Sequence, residues 1–173
     1  LLTLIASLHA WRNGPLPENR EELYNGAVDL LLFLWERPKR VAGTRQPSIG
    51  EYLSTDRNEI RKVLNELAFR AHQDQPEING TADLSETRLI SALLRLSPDR
   101  TLNAVELMDY LSQRAGLLLP RDNGVYTFPH RTLQEYLAAC HLTDHEFPEK
   151  LCELVRADFE RWREVVLLAS AKA

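Results

Sequence analysis

"GLLLPRDNGVYTFPHRTLQEYLAACHL", Gly116 to Leu142, changes its grammar partway. Its first half holds two short apolar runs, "GLLLP" and "VYTF", on either side of the turn "RDNG". An Asn-Gly pair between apolar runs predicts a β-hairpin, with Asn123 and Gly124 supplying positive φ angles. The second half spaces Leu133, Tyr136, Leu137 and Cys140 along one helical face. His130 stands between the halves, directly after Pro129, where strand text becomes helix text.

Upstream of this hairpin the text is helical. Asp56 opens a helix whose apolar stripe is Ile60, Val63, Leu64, Leu67 and Ala71. Asp74 to Asp83, with Pro76 and an Asn79-Gly80 turn, reads as exposed loop. Ser85 caps the next helix, with Leu84 and Leu89 placed as a hydrophobic staple, and Pro98 ends it. Asn103 and Glu106 predict a capping box for a third helix, which closes at Gly116. Three helices, a hairpin and a helix over residues 56 to 142 is the order of a winged-helix domain.

The flanks are helical too. "LLTLIASLHAW" puts Leu1, Leu4, Ile5, Leu8 and Trp11 on one face; Asn13 and Gly14 stop it, and "GPLP" is a stiff connection. Asn19 and Glu22 predict a capping box for a helix that runs to about Glu36 and is apolar most of the way round. "RPKRVAGTRQPS" reads as a basic loop and "SIGEYLS" as a short helical turn. Phe147 to Ala173 is helical in two pieces broken near Asp158. The expected fold is mainly α: a helical domain over residues 1–50, a winged helix with one small β-hairpin over 51–143, and the start of a further helical region over 144–173.

Composition narrows the function. The chain has 173 residues, 44% hydrophobic and 27% charged, with 21 Lys and Arg against 25 Asp and Glu. A net charge of −4 is a poor footing for gripping phosphodiester backbones. The longest apolar run, "AVDLLLFLW", is closed by Glu36, Arg37 and Pro38, far short of a membrane span, and no signal peptide is visible. Cys140 and Cys152 both fall in helical text and read as unpaired, buried thiols of a cytoplasmic protein. Leu1 opens inside a helix and the sole methionine is Met108, so the chain is expected to be a piece of a longer one.

Catalytic readings find no support. No G-x-x-x-x-G-K-[ST] phosphate loop and no G-x-S-x-G elbow occurs. His141 and His145 stand four apart, a spacing that can chelate a metal, but no H-E-x-x-H motif surrounds them; they read as polar residues near a helix end. The expected metal site is therefore none, and no cofactor is expected to be held by this piece alone. A DNA-binding winged helix needs cations and amides on its reading helix. "NAVELMDYLSQRAG" offers Glu106 and Asp109, with only Arg114 at its far end. Nucleic acid is thus a disfavoured partner; packing against protein is the favoured use of the fold.

Two stretches resemble one family. "GPLPENREELY" followed by an apolar helix is similar to the segment after the nucleotide-binding domain of NACHT-type STAND NTPases, relatives of the NOD-like receptors. Gly14, Leu16, Pro17, Arg20, Glu22, Leu23, Tyr24 and Trp35 carry that likeness. "FPHRTLQEYLAA" resembles the end of the family's winged helix, through Phe128, His130, Thr132, Leu133, Gln134, Glu135, Tyr136, Leu137, Ala138 and Ala139. The resemblance covers about residues 1 to 142 and omits the family's Walker segments, which would precede Leu1.

The resemblance implies a regulatory role. The winged helix would fold over an upstream nucleotide-binding domain, and His130 would reach a phosphate of bound ADP. Exchange for ATP, with Mg, would release it and allow homo-oligomerisation of the parent, an ATP- or GTP-hydrolysing signalling switch. Local physics is compatible, because a helix start favours an anion. The alternative for His130 is a helix-start residue bonded to nearby backbone. The alternatives for the chain are a DNA-binding regulator and a protein-interaction scaffold without nucleotide contact. Leu133, Tyr136, Leu137 and Cys140 are core in every reading, Gln134 and Glu135 are expected to bond the wing or a neighbouring domain, and Arg131 is expected to be a solvated charge.

Overall fold

The computed structural model describes residues 2–12, 15, 17, 19–37, 39–41, 44–76, 80–97, 102–112, 116–145 and 147–173. Leu1, Asn13, Gly14, Leu16, Asn79, Pro98 and Arg114, which carried parts of the sequence reading, lie outside them. The described chain is mainly helical, as expected. Helix α1 (Leu2–Arg12) is followed by α2 (Arg20–Glu36), then a hairpin of β1 (Lys39–Val41) and β2 (Thr44–Gln46). The chain continues through α3 (Ile49–Leu53), α4 (Arg57–Asp74), β3 (Asp83–Ser85), α5 (Glu86–Leu94) and α6 (Ala104–Ser112). Strands β4 (Leu119–Asp122) and β5 (Val125–Thr127) lead into α7 (Arg131–Asp144), α8 (Glu149–Ala157) and α9 (Phe159–Lys172).

Local chemistry accounts for most of these boundaries. Asn19 Oδ1 accepts the Glu22 N–H at 2.7 Å, and Glu21 and Glu22 complement the positive start of α2. The return arm of the expected box differs, because Glu22 Oε1 accepts from the Asn19 side chain at 2.7 Å. A complete capping box occurs at Ser48 and Glu51, opening α3. Asp56 accepts the N–H groups of Asn58 and Glu59 at the start of α4. Asn103 Oδ1 takes the Val105 N–H at 2.9 Å ahead of α6. Asp158 ends α8 and caps α9, so the predicted break is where the sequence put it.

Four further expectations need correction. "RPKRVAGTRQPS" is not all loop: β1 and β2 pair antiparallel, Lys39 with Gln46 and Val41 with Thr44. The wing gains a third strand, β3, paired antiparallel to β5 with Leu84 opposite Tyr126, giving the sheet order β3-β5-β4. Of the Asn123-Gly124 turn only Gly124 takes a positive φ, +72°, and a bulge between Pro120 and Asp122 absorbs the register. Cys140 is buried as expected, but Cys152 is exposed; both thiols are free.

One cluster of buried residues gathers Tyr24, Val28 and Leu32 of α2, Ile60, Leu64 and Leu67 of α4, and Trp162, Val165 and Leu168 of α9 around α7. Helix α7 is buried all along Leu133 to Cys140, so it runs through the interior while the other helices surround it. Aromatic contacts add geometry: Phe69 of α4 stacks on His141 at 4.9 Å, and Trp162 meets His72 edge-on at 5.0 Å. Among the described residues, no helix is long and apolar enough to cross a membrane.

Candidate site at the start of the central helix

Pro129 and His130 deliver the chain from β5 into α7. His130 is the N-cap, with φ −146° and ψ 139°, and its carbonyl accepts the N–H groups of Leu133 and Gln134 at 3.1 and 3.2 Å. Its ring makes no cap hydrogen bond, so the residue does not do what Ser, Asp or Asn would do there. The half-buried ring instead borders a cavity of about 260 Å³. Leu30, Leu31 and Leu34 of α2, Ser7 of α1, Gly116 and Pro129 complete its lining. Burial lowers the His130 pKa below its ordinary value, which favours the neutral ring. Among the described residues, no lysine or arginine lines this cavity.

The residues after His130 fasten α7 to its surroundings. Gln134, fully buried, accepts the backbone N–H of Ala82 at 2.8 Å, beside β3. Its Nε2 lies 3.2 Å from His72 Nδ1, and His72 Nε2 lies 3.0 Å from the carbonyl of Arg161. A carbonyl only accepts, so His72 carries its proton on Nε2 and receives from Gln134 on Nδ1. The chain of bonds joins the wing, α7, α4 and α9. Gln134 thus bonds next to the wing, as the sequence suggested.

Arg131 is not a solvated charge: its Nε pairs with the buried Glu135 carboxylate at 2.7 Å. Burial raises the Glu135 pKa, and Arg131 opposes that rise. Tyr136 projects toward α2. Its hydroxyl lies 3.1 Å from both Glu21 Oε1 and Asn25 Oδ1, and 3.4 Å from Arg61 Nη2. Arg61 is itself held by Asp29 at 2.8 Å and by Asn25 at 2.6 Å. Sequence reasoning placed Tyr136 in the core and missed this polar brace. The signal was there in the polar residues Glu21, Asn25 and Asp29, spaced by four on an otherwise apolar helix.

His141 and His145 come within 4.6 Å ring to ring, but among the described residues no group of metal-ligating side chains forms a site. The α6 helix keeps Glu106 and Asp109 exposed, the wrong sign for a major groove.

No curated protein matches the chain, and no solved structure does. Residues 20–142 match the family model described as the winged helix-turn-helix domain C-terminal to NACHT. That span includes α2, the wing and all of α7 but its last two residues, so the chain belongs to the family of winged helix-turn-helix domains that follow NACHT domains.

Proposed function

We propose that this chain is the regulatory lid of a NACHT-family signalling NTPase, closing over ADP on an upstream nucleotide-binding domain. Residues 1–50 would follow that domain, 51–143 would form the winged helix, and 144–173 would begin the next helical region. The observation that carries the reading is the placement of His130. It opens a 14-residue helix with no side-chain cap hydrogen bond, and its ring borders an apolar cavity at a helix start, the end of a helix that attracts an anion. A phosphate brought there by the neighbouring domain would accept from the ring and sit at the positive end of α7. One such bond to a charged group contributes about 1.5–3 kcal/mol, roughly tenfold to a hundredfold in affinity. That biases a switch without making the lid a binding site of its own.

In this reading the ADP-bound arrangement keeps the lid shut, and exchange for ATP removes the geometry His130 needs. The released winged helix then frees surfaces for homo-oligomerisation. The test uses the longer protein that carries the NACHT domain. Bound nucleotide is extracted and quantified from the wild type and from His130→Ala. Loss of roughly tenfold or more in ADP affinity is expected. Equal ADP content in both would remove His130 from the switch and leave it a structural helix-start residue.

A further inference from the structure

A second cavity, of about 270 Å³, opens at the other end of the central helix, where α2, α4, α7 and α9 meet. Its wall carries three cations, Arg61, Lys62 and Lys172, against a single carboxylate, Asp144. Lys172 already neutralises Asp144 at 3.2 Å. The Lys62 side chain is 63% exposed, and among the described residues its ion pair is with its own helix neighbour Glu59 at 2.6 Å. Both lysines end flexible stems and swing at little cost, because exposed pairs of this kind hold weakly. Asn58, Arg61 and Lys62 also stand in the first two turns of α4, the positive end of that helix.

The amides of the wall add a second requirement. Asn65 is only 4% exposed, lines the cavity, and its Oδ1 is buried with no protein donor. A buried acceptor left unpaired costs about 1–3 kcal/mol, so this residue is costly as packing and useful as a ligand contact. A molecule that answers the lysines and also supplies a donor to the asparagine wall fits both features. We infer that the cavity between α2, α4, α7 and α9 binds a small anion bearing hydroxyl donors, a phosphomonoester of a polyol. Its charged end would face Lys62 and Lys172, and its hydroxyl end would face Asn65. The inference does not depend on His130 or on nucleotide, since the two sites lie at opposite ends of α7.

The test is calorimetry on the 173-residue chain with glycerol 3-phosphate, glycerol and sulfate as probes. Glycerol 3-phosphate is expected to bind, with affinity at least tenfold above either control. The exposed changes Lys62→Ala and Lys172→Ala, which leave the core alone, are expected to weaken it tenfold together. Asn65→Leu is expected to do the same, and its fold is checked by circular dichroism. Cys140 gives an independent readout, because it lines the same cavity. Bound glycerol 3-phosphate should slow alkylation of Cys140 and leave the exposed Cys152 unchanged. Binding that ignores the lysine changes, or that sulfate reproduces in full, overturns the assignment, as does the absence of any binding.

Discussion

The side-chain amide of Gln134 donates to Nδ1 of His72 across 3.2 Å, and that single bond fixes how both residues are used. With Nε2 of Gln134 turned to His72, its Oε1 is the atom left to accept from Ala82. A proton on Nδ1 would meet a donor. Turning the amide to relieve that clash would set two donors face to face at Ala82. His72 is thus held neutral by geometry.

The pH dependence of stability follows. Burial lowers the His72 pKa below its ordinary value near 6.5; the bond to the Arg161 carbonyl and the Asp158 charge oppose the shift, and the charges of Arg131 and Arg161 add to it. As pH falls, the unfolded chain takes up the proton first. The contribution of His72 is therefore complete above about pH 6.5 and is lost as pH drops below that. His130 and His141 are lowered by burial and act in the same direction, while burial raises Glu135, which acts oppositely at lower pH. The check is a difference. Urea midpoints of wild type and His72→Gln between about pH 7.5 and 5.5 should converge as pH falls, because the variant lacks this proton uptake. Parallel curves would contradict the locked ring.

Removing one oxygen from Tyr136 should cost stability without opening a cavity. Tyr136→Phe deletes the hydroxyl between Glu21, Asn25 and Arg61, and about 1–2 kcal/mol of unfolding free energy is expected to go with it. Pairing it with Asn25→Ala in a double-mutant cycle should give less than the sum of the single losses, since both changes break one cluster.

Stability and switching are expected to part at His130. His130→Asp supplies the cap that α7 lacks and should raise thermal stability by about 0.5–1 kcal/mol. The same carboxylate would repel a phosphate, so ADP retention by the NACHT-bearing protein should fall. A variant that gains stability and also keeps its ADP would show that the phosphate does not sit at this helix start.

Duplex DNA is expected to bind weakly if at all. The exposed acidic groups of α6, Glu106 and Asp109, oppose entry into the major groove. Gel retardation at low salt, where phosphate contacts are strongest, is the most permissive check. Tight binding there would restore the DNA-binding reading.

The long helices were legible because their apolar residues recur at helical spacing and their caps are local. Ile60, Leu64, Leu67 and Ala71 are all buried, and the Asp158 break is where the sequence placed it. The short strands were not, since β1, β2 and β3 are three residues each and too brief to show alternation. Strand β3 depends on a partner far along the chain: Leu84 is a strand residue only because Tyr126 lies opposite. The family string announced His130, but its neighbours' duties depended on contacts that no local pattern encodes. His72 and Gln134 are polar residues on buried helical faces, and that mismatch was the one trace of their bond.

The central helix has a mechanical consequence. At 1.5 Å per residue, its 14 residues make a shaft of about 21 Å with His130 at one end and Asp144 near the other. Being packed on all sides, it cannot bend locally or creep by fractions without disturbing α2, α4 and α9 together. A push at its tip is therefore transmitted or resisted as a whole, as by a bolt in its housing, and travel in such a part proceeds between discrete seats.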